Sequence, residues 1–84
     1  MEVKILGTGC PNCKRLEKVT RETLDEMGVV AQVTKVTDIQ AIMAYDILST
    51  PGLVIDEKVV SYGRIPNKAE VTIMIATALS AAES

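Results

Sequence analysis

The chain has 84 residues, 48% apolar and 24% charged, with a formal charge of −2, enough for one small, mildly acidic domain over residues 1–84 and too little for two. No His and only two Cys exclude Ser/His/Asp and Cys/His catalysis and a closed zinc site within one chain. The acidic balance and the lack of Phe and Trp argue against a nucleic-acid partner, which wants a basic footprint and stacking rings, and leave the core to Ile, Val, Leu, Met and Ala.

Residues 2–6 alternate polar with apolar before Gly7-Thr8-Gly9 breaks the run, the pattern of a first strand and a tight turn. From Pro11 a helix is expected, with Leu16, Val19, Leu24 and Met27 on one face. Glu17 with Arg21 and Lys18 with Glu22 are spaced as helical ion pairs, and Gly28 is placed to cap the end. Residues 29–36, rich in Val, read as a second strand. Asp38 then N-caps a short helix carrying Ile39, Ile42 and Met43 inward. That helix ends before Thr50, because the residue ahead of a proline is pushed out of the helical region. Leu53–Ile55 and Lys58–Ser61 flank Asp56-Glu57 as a hairpin without the usual turn glycine. Asn67 and Glu70 have capping-box spacing ahead of a last helix whose inward stripe is Val71, Met74, Ile75, Ala78 and Leu79.

The order β-α-β-α-β-β-α makes the first strand-helix-strand unit a right-handed crossover with parallel strands. The hairpin extends the same sheet. Helices on both faces are expected to cover nearly every strand residue, giving an α/β domain.

No segment has the apolar length of a membrane span, and the N-terminus lacks signal-peptide character, so no membrane partner and a cytoplasmic location are expected. Thiols there are kept reduced, which makes a Cys pair catalytic or metal-binding rather than a permanent staple. With Pro11 at the first helical position, Cys10 is the N-cap and Cys13 lies in the first turn. The free backbone N–H groups of Asn12 and Cys13 then aim at the Cys10 sulfur, and the helix dipole, Lys14 and Arg15 add positive charge. Cys10 is expected to titrate below an ordinary thiol and to be the nucleophile. Cys13, farther inside, resolves the mixed disulfide. A structural disulfide is a weak rival, since closing so short a loop constrains the unfolded chain by only about 2 kcal/mol. The stronger alternative is a module that binds or senses a soft metal or an arsenical between the two sulfurs without turnover.

A second informative stretch is Ser49-Thr50-Pro51-Gly52, ahead of the hairpin. Taken alone it is a turn, and a trans bond is favoured at Pro51. Gly9-Cys10-Pro11-Asn12-Cys13-Lys14 after strand one, together with Thr50-Pro51 before a hairpin, resembles the thioredoxin superfamily over nearly the whole chain. The resemblance is closest to its minimal, glutaredoxin-sized redox-active disulfide proteins. It implies a thioredoxin-like fold with a four-stranded mixed sheet and helices on both faces. It also implies a cis Pro51 against the Cys pair, leaving the Thr50 backbone free to pair with an extended substrate segment.

The implied activity is dithiol-disulfide oxidoreduction: reduction of protein disulfides through Cys10 and Cys13, without cofactor or metal. The substrates are disulfide-containing proteins, the electron donor resembles a thioredoxin reductase, and the chain acts as a monomer. Thr50 and Pro51 bind substrate, and Gly9, Pro11, Asn12 and Lys14 support the Cys pair. Metallochaperones of similar size carry Met before the first Cys, where this chain has Gly9. Two departures stand out. Strand one offers Glu2 and Lys4 but no acid beneath the Cys pair, and the glutathione-binding Gly-Gly-Asp of glutaredoxins is replaced by Ser61-Tyr62-Gly63-Arg64.

Gly7-Thr8-Gly9 lacks the remaining residues of a nucleotide loop, and its glycines are read as freeing the backbone to turn and leaving Cys10 open. Tyr45 and Tyr62 are read as partly buried rings with wet hydroxyls, and Arg64 as a surface charge.

Overall fold

A computed structural model describes residues 1–83, with side chains as far as residue 81. The elements are β1 (Glu2–Leu6), α1 (Pro11–Met27), β2 (Gln32–Val36), α2 (Ile39–Met43), β3 (Gly52–Ile55), β4 (Lys58–Tyr62) and α3 (Lys68–Glu83), in the order expected. The strands lie β2-β1-β3-β4, with β1 parallel to β2 and antiparallel to β3, and β3 antiparallel to β4.

Strand alternation sends β1 and β3 side chains to two cores. On one face Val3, Ile5, Leu53 and Ile55 pack against Leu16 and Leu24 of α1 and Val71 and Ile75 of α3, with Val19 and Met27 at the margin. On the other, Leu6 and Val54 meet Ile42 of α2, with Tyr45 and Ile47 alongside. Helices therefore cover both faces, as in a thioredoxin-like fold, but unevenly. Every residue of β3 is buried, whereas Gln32, Thr34 and Lys35 of the edge strand β2 are exposed, so the near-complete strand cover expected from the sequence holds only at the centre of the sheet.

The expected strand over 29–36 begins only at Gln32. Gly28 adopts the left-handed conformation at φ 67°. Its N–H donates to the Asp25 carbonyl, and the Val29 N–H to the Leu24 carbonyl at 3.0 Å. This is the Schellman arrangement, in which the residue after the glycine packs back onto the last turn. Val29 is thus consumed in stopping α1, and Val30, 94% exposed, is no part of a strand. The short helix also differs from expectation. Asp38 caps it through the Ala41 N–H, but in five residues only Ile42 turns inward, leaving Ile39 and Met43 60% and 66% exposed.

The hairpin turn compensates for its missing glycine. Asp56 and Glu57 both have positive φ, 48° and 68°, a conformation that costs a side-chain-bearing residue about 1–2 kcal/mol. Tertiary bonds hold it: Asp56 exchanges hydrogen bonds with the Glu2 backbone, and the Glu57 carboxylate meets Lys4 Nζ and the Tyr45 hydroxyl. The capping box at α3 is formed as expected, with Asn67 Oδ1 accepting from the Glu70 N–H at 2.9 Å and Glu70 Oε1 from the Asn67 N–H at 3.2 Å. Of the two ion pairs expected along α1, Glu17–Arg21 is present, whereas Glu22 pairs with Lys68 of α3. The neighbouring helix offers a charge that also ties α1 to α3.

Candidate active site

The loop carrying the Cys pair leaves β1 after Leu6, and Leu6 pairs in register with Gly52, the residue after Pro51. Sheet pairing thus brings the start of α1 and the Thr50-Pro51 turn to one end of the same two strands. On the opposite side of β1, Leu6 pairs with Val36, so Thr37 opens from that end too.

Cys10 occupies the N-cap with extended φ/ψ of −67° and 161°, and Pro11 begins the helix. The Cys10 carbonyl accepts the Lys14 N–H at 3.1 Å, and its sulfur accepts the Cys13 N–H at 3.2 Å. The Asn12 N–H, expected to join it, makes no such bond among the described residues; an N-cap side chain reaches the third helical residue here, and Asn12 is the second. Cys10 and Cys13 are disulfide-bonded with their Cα atoms 5.1 Å apart, a spacing the first helical turn supplies. Cys10 is partly exposed and Cys13 is 5% exposed, so one face of the disulfide meets solvent and the other is enclosed. Pro11, Asn12 and Lys14 are exposed around it.

The two glycines of the preceding loop have different reasons to be glycine. Gly9 sits at φ 89° with open space where a side chain would point; only its backbone conformation demands Gly. Gly7 is buried, and a Cβ there would overlap the Cys13 sulfur. The sequence suggested a turn; the structure adds a close approach that no local signal announces.

The Thr50-Pro51 peptide is cis, with Pro51 buried and Thr50 exposed. Gly63 completes this turn. Its N–H donates to the Pro51 carbonyl at 2.9 Å, its φ is 75°, and the Ser49 hydroxyl lies where a Cβ would be. Sequence reasoning had placed Gly63 only in a segment that departs from a glutathione site.

Other candidates are engaged elsewhere. Tyr45 packs in the α2-side core, where its hydroxyl accepts from Lys4 Nζ at 2.9 Å. The hydrogen bonds that the Lys4 ammonium donates to Glu57 and Tyr45 hold it above its ordinary range, and the same Lys4 contact lowers Glu57. β1 therefore directs its one interior charge away from the Cys pair. Arg64 bonds Glu70, and Tyr62 is exposed. Among the described residues no helix is long and apolar enough to cross a membrane.

A family model described as a thioredoxin domain matches residues 1–76. A thioredoxin of Methanothermobacter thermautotrophicus is 37% identical over 71 residues, 84% of this chain and 92% of that protein. One of Methanocaldococcus jannaschii is 35% identical over 69 residues, 82% of this chain and 79% of that protein. Among solved structures, thioredoxin 1 from Thermosipho africanus superposes over the full length of both chains with a TM-score of 0.60 at 18% identity, a likeness of fold.

Proposed function

Since the chain belongs to the thioredoxin family and is a thiol-disulfide oxidoreductase, we propose that it reduces protein disulfides through Cys10-Pro11-Asn12-Cys13, with Cys10 as nucleophile and Cys13 as resolving thiol. The observation that carries this reading is the asymmetry of the pair: the N-cap sulfur is open to solvent and the first-turn sulfur is enclosed. An incoming disulfide reaches Cys10 first.

In the first step the Cys10 thiolate attacks one substrate sulfur, forming a Cys10–substrate bond and releasing the other substrate sulfur as a thiolate. The helix N-terminus favours that anion through the Cys13 N–H and the aligned peptide dipoles. In the second step Cys13 attacks Cys10 and the remaining substrate thiol departs. Pro11 starts the helix, Gly9 sets the loop conformation, and Asn12 and Lys14 flank the exposed sulfur. The exposed Thr50 backbone beside the cis Pro51 offers an edge on which an extended substrate segment pairs.

In this reading residues 1–84 form a single cytoplasmic domain, acting as a monomer and recharged by a reductase of the thioredoxin-reductase type, with no cofactor of its own. Insulin reduction with dithiothreitol as electron source tests it. Turnover is expected for the wild type and lost in Cys10→Ser. Undiminished turnover in Cys10→Ser, or none in the wild type, overturns it.

A further inference from the structure

A helix dipole favours acids in the first turn and bases in the last, and α1 has no acid in its first turn and no base in its last. Its outer face is charged in the opposite sense. Lys14 and Lys18 are four residues apart, and Arg15 and Lys18 three, which sets the three cations on one ridge. The ridge is exposed and turned away from Cys13, Leu16, Thr20 and Leu24, the residues that enter the core. The acids Glu22, Asp25 and Glu26 follow at the far end of the helix.

The chain does not neutralise this ridge. Lys14, Arg15 and Lys18 have no ion pair among the described residues. Glu17, the one acid among residues 10–18, is engaged by Arg21 at 2.9 Å and by Lys35 at 3.6 Å. Glu22, spaced to reach Lys18, is turned to Lys68 of α3 at 3.1 Å. Like charges three and four residues apart repel, so the ridge weakens α1, and it does so in a chain whose overall charge is −2. A negative surface brought against the ridge relieves that repulsion. The open Cys10 sulfur lies at its head, and at 1.5 Å per residue Lys18 is about 12 Å farther along the axis, a span that a docked protein covers.

We infer that Lys14, Arg15 and Lys18 form a docking surface for protein substrates that carry Asp and Glu beside the exchanging disulfide, an inference that rests on the reading of Cys10 as the nucleophile. A thiolate at Cys10 by itself repels such substrates; three cations beside it reverse the sign of the local field. Charge of one sign along an approach raises the encounter rate with the opposite sign, and salt screens the effect. α1 offers no aromatic ring on which a base could stack, and the sulfur at the head of the ridge exchanges with disulfides, so the occupant is a protein and not a nucleic acid.

The test measures second-order rate constants of the reduced protein with cyclic disulfide peptides identical except for acidic, neutral or basic residues flanking the cysteines. Each is divided by the rate of the same peptide with dithiothreitol, which removes its intrinsic reactivity. At low salt the acidic peptide is expected to react on the order of tenfold faster than the neutral one and the basic peptide slower, and the spread is expected to shrink in about 0.5 M salt. Lys18→Glu is expected to lower the acidic-to-neutral ratio about threefold or more. Both peptides meet the same sulfur, so any change in Cys10 itself cancels in that ratio. Lys58→Glu makes the same change of net charge beside Ile55, at the opposite end of the sheet from the Cys pair, and is expected to leave the ratio as it is. Equal rates for the acidic and neutral peptides, a ratio unmoved by Lys18→Glu, or one lowered equally by Lys58→Glu overturns the inference while the exchange reading stands. Reduction of none of the peptides removes both.

Discussion

The Cys13 sulfur occupies the space that a side chain on Gly7 would need. The end of β1 and the first turn of α1 are thereby locked at one distance, set by the enclosed half of the disulfide. Since Gly7 has no unusual φ among the backbone exceptions, Gly7→Ala acts through volume alone. It is expected to destabilise the protein by about 1–3 kcal/mol, as overpacking does, and to slow release of the mixed disulfide more than its formation. Equilibrium unfolding and stopped-flow trapping of the adduct measure the two effects; unchanged stability would mean that the loop yields freely.

Cys10, the proposed nucleophile, also serves as a helix cap, through its bond from the Cys13 N–H. In the reduced state Cys10→Ser is expected to keep the cap and lose exchange, whereas Cys10→Ala loses both, with about 1 kcal/mol less stability than the serine variant. Urea midpoints under reducing conditions compare them, and equal midpoints refute the capping role.

The hydroxyl of Thr20 is buried on α1 with no hydrogen-bond partner among the described residues. Thr20→Val keeps the shape and removes the orphaned group, so a gain of about 1 kcal/mol is expected. A shift of the denaturation midpoint to lower urea would contradict it.

Glu57 and Lys4 give the fold a pH signature. The Lys4 contact lowers the Glu57 carboxyl in the folded protein, so its contribution is present above the unfolded carboxylate range and is lost as pH falls through the folded value. The bond to Glu57 raises Lys4, whose contribution is complete below the unfolded lysine range and is lost as pH rises through its folded value. Glu57→Gln is expected to melt below the wild type at neutral pH and to converge with it in acid. Melting curves at several pH values test this, and a gap that persists undiminished at pH 2 rules it out.

Much of this was legible because short-range chemistry decided it. Pro11 after Cys10 marks the start of α1, Gly28 its end, and the Asn67/Glu70 spacing the start of α3, each through bonds within a few residues. What escaped was hidden either by local geometry that the apolar pattern does not record or by neighbours from distant segments. Val29 looked like strand but is spent in the Schellman turn. Ile39 and Met43 looked inward, though a single helical turn has only one buried position, Ile42. At the site, Cys10 and Cys13 were evident from their spacing, while Gly7 and Gly63 were not, because the Cys13 sulfur and the Ser49 hydroxyl that constrain them come from other segments.

The 5.1 Å between the cysteine Cα atoms is set by an N-cap and one turn of helix, a scaffold that stands whether or not the sulfurs are joined. Exchange at the proposed pair is therefore expected to leave the silhouette of the molecule almost untouched. A partner in the proposed exchange then has no moving flap to feel for, and the charge that the reading puts on and off the tip of α1 is what it is expected to sense.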